Sequence, residues 1–304
     1  LLLGLLIPIG FVVIREQFNN VIENKDDIER ITKAPLLGTI GHNRKSSGLV
    51  VLDFPKAVVS ESFRALRSNI KFLGKDEGKQ TILITSSISG EGKTFCSINL
   101  ASVIALGGKK TILVGLDLRK PKIFNDFEIS NDIGLSTYLI GRHTAKEIVS
   151  VSKNENLHVI PAGPIPPNPA ELLMKPEFFE LLEQLKQDYD YVILDTPPIG
   201  LVADALNIMP SADMMLYVCR AGYTQKGLLK AMEEWRQQNN ATVGLIVNDI
   251  GGAGGGYGSY GKGYGGYGYG YGYGYGYGYG YGQGYYSDDE EERPSFWKRL
   301  LGRS

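Results

Sequence analysis

Six short apolar runs between residues 57 and 250 predict the strands of a sheet. Most of these runs are continuously apolar rather than alternating, which is typical of parallel strands covered on both faces. They are Thr81–Thr85, Thr111–Leu116, Leu157–Ile160, Tyr191–Leu194, Met214–Val218 and Val243–Val247. Amphipathic stretches between them predict helices that complete β-α-β units: Thr94–Leu106, Glu177–Gln187 and Lys226–Gln238. We therefore predict one α/β domain over residues 57–250, with a mostly parallel sheet and helices on both faces.

The first segment, residues 1–14, is apolar and uncharged. As a helix it would rise only about 21 Å, short of a bilayer core of roughly 30 Å. It lacks the basic region and cleavage site of a signal peptide. We interpret it as the C-terminal part of a transmembrane helix, with a buried core helix as the alternative. The cations that follow, among them Arg15, Lys25 and Arg30, suit a cytoplasmic flank.

Residues 15–56 are predicted to be a juxtamembrane linker. Asp26–Thr32 could form a short helix, which should end before Pro35 because the residue that precedes a proline avoids the α region. The glycines and serines between residues 38 and 48 then favour an irregular connection.

The last segment, residues 251–304, changes to a Tyr-Gly repeat that ends in the acidic run Asp288–Glu292 and a short basic-aromatic stretch. Of the chain's 18 tyrosines, 13 lie between Tyr257 and Tyr286. The repeat offers no aliphatic core, and glycine at every second position maximises the entropy lost on ordering. We predict a disordered Tyr/Gly-rich tail.

Composition excludes several classes of protein. With 32 basic and 33 acidic residues the net charge is −1, which argues against a nucleic-acid binder. Cys96 and Cys219 cannot form a disulfide framework, so a reducing compartment is favoured. The three histidines (His42, His143 and His158) do not have metal-ligand spacing, so no zinc site is expected.

The most specific motif is S-S-I-S-G-E-G-K-T at Ser86–Thr94, which follows a predicted strand and opens a predicted helix. That context is required of a phosphate-binding loop. Its two glycines allow backbone N–H groups to turn inward, Lys93 can reach the β- and γ-phosphates, and the Thr94 hydroxyl can bind Mg²⁺. Ser87 stands where the usual spacing has its first glycine. The alternative is a glycine turn beside a surface lysine.

Two carboxylates end apolar strands and are candidate metal or base residues. Asp195, in Y-V-I-L-D-T-P-P, has the position of a Walker B acid at the carboxyl edge of the sheet. Asp117, in I-L-V-G-L-D-L-R-K-P, is a second candidate for metal binding or proton abstraction. The structural alternatives are a capping Asp before the Pro-Pro turn for Asp195 and a helix-capping residue for Asp117.

These three motifs resemble the Walker motifs of the bacterial tyrosine kinases, which are P-loop proteins and differ in fold from eukaryotic-type kinases. The motifs are Ser86–Thr94, Ile112–Pro121 and Val192–Pro198. Further segments agree: D-D-I-E-R-I-T-K-A-P-L-L-G-T-I at Asp26–Ile40, E-S-F-R-A-L-R-S-N at Glu61–Asn69 and N-P-A-E-L-L at Asn168–Leu173. The resemblance runs from residue 1 to about 250, and the tail is similar in kind.

The resemblance implies an ATP- and Mg²⁺-dependent protein tyrosine autokinase with Lys93, Asp117 and Asp195 as catalytic residues. Thr94, Asp117 and Asp195 would hold Mg²⁺. The implied ATP-binding residues are Ser89, Gly90, Glu91, Gly92, Lys93, Thr94, Phe95 and Asn248. Asn248 resembles the family's adenine-contacting asparagine, and its alternative is a strand-end turn residue.

The implied phosphoacceptors are the tail tyrosines, modified in trans: Tyr257, Tyr260, Tyr264, Tyr267, Tyr269, Tyr271, Tyr273, Tyr275, Tyr277, Tyr279, Tyr281, Tyr285 and Tyr286. The family uses the face formed by Glu61, Arg64 and Arg67 for subunit contacts in a ring. These residues recur every three positions on one helix face, so a solvated face with internal ion pairs is the alternative. The second Walker box departs from the family pattern of D-x-D, because Gly115 replaces the first acid.

The resemblance also implies partners and location: a ring-like homo-oligomer, the bacterial inner membrane with a cytoplasmic kinase domain, polysaccharide polymerisation and export machinery, and an opposing protein tyrosine phosphatase. One rival interpretation is a partition- or septum-positioning ATPase. Such ATPases carry a signature lysine in K-G-G-x-G-K-T, and the residues aligned with the start of that motif here are Ile88 and Ser89, so the lysine is missing. Another is an interaction protein whose Tyr-Gly tail drives self-association. A eukaryotic-type kinase is excluded because V-A-I-K, H-R-D and D-F-G are absent.

Overall fold

The computed structural model of the chain describes residues 20–73, 79–200 and 204–251. The apolar segment 1–14 and the tail tyrosines, for which a membrane span and phosphoacceptors are predicted, lie outside the described residues. Within the described ranges, no helix is both long and apolar enough to cross a membrane.

Eight strands form one sheet, and the six predicted strands are all present. The strands are β1 (Leu36–Gly41), β2 (Gln80–Ser86), β3 (Thr111–Gly115), β4 (Ser150–Val151), β5 (Leu157–Ile160), β6 (Tyr191–Asp195), β7 (Met214–Arg220) and β8 (Val243–Ile250). Their spatial order in the sheet is β1-β8-β7-β2-β6-β3-β5-β4. Every neighbouring pair is parallel except β4 and β5, because the short β4 runs antiparallel to β5.

The three predicted helices are confirmed, each to within one residue at either end. In the structure they begin at Lys93, Pro176 and Lys226. The described helices are α1 (Lys25–Ile31), α2 (Val50–Asp53), α3 (Val58–Ile70), α4 (Lys93–Leu106), α5 (Ile123–Asp126), α6 (Leu135–Leu139), α7 (Pro169–Leu173), α8 (Pro176–Asp188), α9 (Asp204–Ile208) and α10 (Lys226–Asn239), with a 3₁₀ turn at Met209–Ser211.

Two apolar clusters cover the two faces of the sheet. On one face, α3 and α4 contribute residues such as Phe63 and Ile98. On the other, α8 and α10 contribute residues such as Phe178 and Leu229. All seven residues of β2 are buried. This three-layer arrangement explains why the middle of β2, residues 82–84, is continuously apolar rather than apolar at every second position.

Part of the segment predicted to be a linker, residues 15–56, is built into the fold of the described domain. Residues 36–41 form the edge strand β1, which pairs with β8. Upstream of it, Ile22 and Ile28 are buried in the core. The Thr32 hydroxyl donates a 2.6 Å hydrogen bond to Glu233 on α10. Gly38, one of the glycines that suggested a loop, lies in strand β1 at a close contact with α3, because a Cβ there would lie 3.3 Å from the Leu66 side chain.

The strand order brings the candidate motifs to one edge of the sheet. Strand β6 lies between β2 and β3, so the loop after Ser86, the carboxylate of Asp195 and the segment after Gly115 are neighbours. Parallel strands end together at the same edge, where open α/β sheets bind their ligands.

Candidate active site

The phosphate-loop candidate is a tight turn between β2 and α4. Gly90 and Gly92 have φ angles of 94° and 92°, in the left-handed region that favours glycine. A side chain at Gly92 would also require Asn248 to move, since the added Cβ would lie 2.0 Å from Asn248 Nδ2. Helix α4 begins directly after the turn, at Lys93, so its N-terminus faces the same side.

Five polar side chains converge beside this turn. Lys93 Nζ donates to Asp117 Oδ2 at 3.1 Å. The Thr94 hydroxyl donates to Asp195 Oδ2 at 2.9 Å. Ser97, one turn further along α4, lies with its Oγ 2.9 Å from Asp195 Oδ1. The structure thus brings together the three residues predicted to be catalytic and adds one that was not predicted.

Burial sets the electrostatics of this cluster. Asp195 is only 2% exposed, and this desolvation raises its pKa above the ordinary value, although Lys93, Thr94 and Ser97 oppose the shift. Burial works to lower the pKa of Lys93, but attraction by Asp195 and Asp117 outweighs it and the pKa lies above the usual value. Lys93 is therefore protonated at neutral pH, and it lies where it can neutralise phosphate charge.

Asp117 contacts both the polar cluster and the turn that follows it. Its Oδ2 pairs with Lys93, and its Oδ1 accepts a 3.0 Å hydrogen bond from the Lys120 N–H. Lys120 lies in a turn, and the next helix, α5, begins only at Ile123 with Lys122 as its N-cap. The helix-capping alternative is therefore not what the structure shows, and the role of Asp117 in metal binding or proton abstraction stays a prediction.

Gly115, the departure from the D-x-D pattern, occupies a tight position at the end of β3. A Cβ there would lie 3.2 Å from Ala162 N and 3.3 Å from Ile123 Cδ1. An aspartate would therefore require Ile123 to move. A hollow beside it is lined by Asp117, Asp195 and Lys122 together with apolar neighbours.

The remaining residues predicted to bind ATP have other side-chain partners. Phe95 packs edge to face on Phe63, with ring centroids 5.7 Å apart. The Glu91 side chain is fully buried and points away from solvent, where it accepts from Ile88 N at 2.8 Å and from the Thr224 hydroxyl at 2.5 Å. Burial raises the pKa of Glu91. The Glu91 side chain is therefore directed away from a ligand in the loop, whereas Phe95 is half-buried.

Two further predicted residues take part in hydrogen bonds to the backbone of the phosphate loop. The Ser89 carbonyl accepts a hydrogen bond from Tyr223 Oη at 3.0 Å. Asn248 Nδ2 donates to the Glu91 carbonyl at 3.1 Å. Asn248 thus lies beside the predicted site, and its amide N–H is engaged by the loop backbone.

The face predicted to contact other subunits lies on α3, and its residues are engaged within the chain. Glu61 and Arg64 form an ion pair, and Arg64 also donates to the Pro55 carbonyl at 2.6 Å. Arg67 donates to the Val103 carbonyl near the end of α4 at 2.8 Å. The internal ion pair of the solvated-face interpretation is present, and the oligomeric role remains a prediction.

Sequence reasoning missed Ser97, Arg220 and Tyr223. Ser97 lies three residues after Thr94, on the same face of α4, and that spacing was the available signal. Arg220 and Tyr223 carried no comparable signal, because they reach the loop across a gap of 130 residues or more in the chain.

The polar cluster is of a kind that binds a metal together with a substrate. The described residues contain no group of three or more His, Cys, Asp and Glu side chains able to hold a metal ion. One hydroxyl and two carboxylates suit Mg²⁺, which is commonly held by one or two carboxylates plus substrate phosphates. With the left-handed glycines, the helix N-terminus and Lys93, the arrangement defines a P-loop nucleotide-binding protein of the α/β class.

Comparison with known proteins narrows this class. A model of the AAA domain matches residues 79–245. Tyrosine-protein kinase YwqD of Bacillus subtilis is 38% identical over 207 residues, which cover 68% of this chain and 87% of that protein. The chain belongs to the family of bacterial tyrosine-protein kinases.

Solved structures agree with this assignment. The kinase domain of the Escherichia coli tyrosine kinase ETK superposes with a TM-score of 0.69 at 30% identity, covering 75% of this chain and 95% of that one. The chimerical protein CapA2B2 gives a TM-score of 0.69 at 36% identity, covering 74% and 98%. These relatives favour the kinase interpretation over that of a partition-type ATPase.

Proposed function

We propose that the chain is an ATP-dependent protein tyrosine kinase that phosphorylates the tyrosines of its own C-terminal tail, each subunit acting on a neighbour. The observation that carries this proposal is the convergence of Lys93, Thr94, Asp117 and Asp195 beside the phosphate loop in a chain of the tyrosine-kinase family. The proposed domain boundaries are 15–56, 57–250 and 251–304 along the sequence, with residues 20–56 packed on the kinase fold.

The residues present fit Mg·ATP. The N–H groups of the loop from Gly90 to Gly92 and the N-terminus of α4 suit the β- and γ-phosphates. Thr94 and Asp195 would hold Mg²⁺, with Asp117 as a further candidate ligand. When bound, the metal would neutralise charge that develops on the phosphates.

Lys93 and Asp117 take part in the transfer itself in this proposal. The Lys93 ammonium is paired with the Asp117 carboxylate at 3.1 Å. When ATP binds, Lys93 would contact the phosphate oxygens in place of this carboxylate. Asp117 would then be free to accept the proton of the attacking tyrosine hydroxyl. Because Gly115 replaces the other acid of the second box, Asp117 is the one carboxylate of that box available for this role.

The tail suits delivery of many tyrosines to one site. A flexible Gly-rich stretch of about 35 residues has an r.m.s. reach of roughly 30–35 Å, enough to cross to an adjacent subunit. Each phosphate would add about −1.5 to −2 charges. Residues 251–287 carry no acid and a single Lys262, so several phosphates would make the tail strongly anionic. The resulting repulsion would weaken subunit association and give a cycle of assembly and release.

The wider role follows from the family. We propose that this cycle regulates a complex for exopolysaccharide or capsule synthesis and export at the bacterial inner membrane, with residues 1–14 as part of a membrane span. A protein tyrosine phosphatase would reset the tail.

A mixing experiment tests both the kinase activity and its direction. A chain ending at Gly251 supplies an active site without a tail, and a full chain carrying Lys93→Met supplies a tail without an active site. With Mg·ATP, we expect phosphotyrosine on the Lys93→Met chain only when the two are mixed. Phosphotyrosine in the intact wild-type chain but none in the mixture would refute transfer between subunits, and none in either would refute the kinase.

A further inference from the structure

Three consecutive carbonyl groups of the phosphate loop are bound from its outer side. Tyr223 Oη donates to Ser89 O at 3.0 Å, and Arg220 Nη1 donates to Gly90 O at 3.0 Å. Asn248 Nδ2 donates to the next carbonyl, that of Glu91, at 3.1 Å. The three donors come from the end of β7, the loop after it and the end of β8. No one element of the fold therefore supplies them.

This arrangement fixes the direction of the loop amides. In a trans peptide the C=O and the N–H of the same unit point in opposite directions. Carbonyls held outward at residues 89, 90 and 91 therefore turn the N–H groups of residues 90, 91 and 92 inward. The left-handed conformations of Gly90 and Gly92 make successive N–H groups converge, which is the geometry of an anion-binding nest.

The Arg220 side chain is itself held rigidly. Its Nε and Nη2 both contact Asp249 Oδ2, at 2.8 Å and 2.7 Å. Its guanidinium lies over the Tyr223 ring, 5.4 Å from the ring centroid. Asp249 is held in turn by His42 Nδ1 at 2.5 Å. Because only one of the guanidinium nitrogens remains for Gly90, a lysine could not make the same set of contacts.

We propose that Arg220, Tyr223 and Asn248 are positioning residues that preorganise the phosphate loop for the triphosphate of ATP. The inference rests on the proposed function for the identity of the nucleotide. It assigns Asn248 a contact with the loop backbone in place of the adenine contact implied by the family resemblance. The three side chains act through the loop, so the affinity that they supply belongs to the phosphates and not to the base.

Inorganic tripolyphosphate isolates this contribution, because it has no base. We would measure the dissociation constants of ATP and of tripolyphosphate, with Mg²⁺ present, for the full wild-type chain and for Tyr223→Phe, Arg220→Lys and Asn248→Ala. Tyr138→Phe is the matched control, since the Tyr138 hydroxyl donates only a long 3.4 Å bond to the Glu177 carbonyl, away from the loop. Melting temperatures would show that each variant is folded.

We expect each of the three variants to weaken ATP and tripolyphosphate by the same factor, about 2- to 10-fold for one lost hydrogen bond, and Tyr138→Phe to weaken neither. Wild-type tripolyphosphate affinity in folded Tyr223→Phe and Arg220→Lys would overturn the proposal. If Asn248→Ala weakens ATP alone, Asn248 contacts the base and its assignment is overturned. If the variants show these affinity changes and the wild-type chain makes no phosphotyrosine, the proposed kinase is refuted while this inference stands.

Discussion

Replacing Ser97 by alanine tests whether the buried carboxylate of Asp195 is oriented by its neighbour. The Ser97 hydroxyl has one hydrogen and two acceptors at 2.9 Å, Asp195 Oδ1 and the Lys93 carbonyl. If it donates to Asp195, it holds the carboxylate in the direction that leaves Oδ2 for Thr94 and the metal. A residue that orients a metal ligand is typically worth about 10- to 100-fold in metal affinity or activity.

We therefore expect Ser97→Ala to raise the Mg²⁺ concentration needed for half-maximal ATP turnover by at least about 10-fold. The lost hydrogen bond should also lower the free energy of unfolding by about 1 kcal/mol, or roughly 2–4 °C in melting temperature. Turnover measured across a Mg²⁺ titration, with thermal melts of the same samples, separates the two effects.

Ser102→Ala is the matched control. Ser102 is buried on the same helix, and its hydroxyl donates to the Ile98 carbonyl at 2.6 Å, far from any carboxylate of the cluster. It should lose similar stability without a change in the Mg²⁺ requirement. Equal Mg²⁺ requirements in the two variants would mean that Ser97 bonds the Lys93 carbonyl and that Asp195 is oriented by other groups.

Three further outcomes are expected. Asp117→Asn should slow phosphoryl transfer by about 10²- to 10⁴-fold with little change in ATP affinity, and single-turnover assays beside binding measurements would expose a collapse of affinity instead. Replacing Glu61, Arg64 and Arg67 by alanine should shift the protein toward monomer in sedimentation, and an unchanged mass distribution would favour the solvated face. The pKa of Glu233 is lowered to about 2, chiefly by Arg236, so its ion pair should stabilise the fold above its ordinary pKa of 4.5 and be lost as the pH falls toward 2. Urea titrations of Glu233→Gln should therefore show a flatter acid limb than wild type, and identical limbs would contradict this.

The hydrophobic pattern of the sequence was sufficient to predict the strands that are buried on both faces of the sheet. The middle parts of β2 and β6 are buried on both faces, so both strands contain a continuously apolar run from which the strand can be predicted. Helix α1 was also predicted, because Pro35 limits its end, and the structure adds the cap at its start, where the Asn24 side chain accepts from Asp27 N. The meeting of Lys93 with Asp117 followed from the rule that parallel strands end at one edge.

Contacts between residues that are far apart in the chain could not be predicted from the sequence. Gly38 was assigned to a linker from the sequence, but it lies in strand β1, where Leu66 of α3 packs closely on it. Asn248 was predicted from the resemblance to contact adenine, yet its partner in the structure is the Glu91 carbonyl, 157 residues away in the chain. Ser97 has the polarity of a helix-surface residue but is fully buried against Asp195. In each case the decisive neighbour comes from another element.

The central claim is that the site transfers the γ-phosphate of ATP to tyrosines of the tail. Mass spectrometry of the purified full chain after incubation with Mg·ATP tests it most directly, with Lys93→Met as the inactive variant and Lys109→Met, at an exposed lysine, as the matched control. We predict phosphotyrosine between Tyr257 and Tyr286 in wild type and in Lys109→Met, and none in Lys93→Met. Equal phosphorylation in Lys93→Met, or ATP hydrolysis by wild type without any phosphotyrosine, would contradict the account.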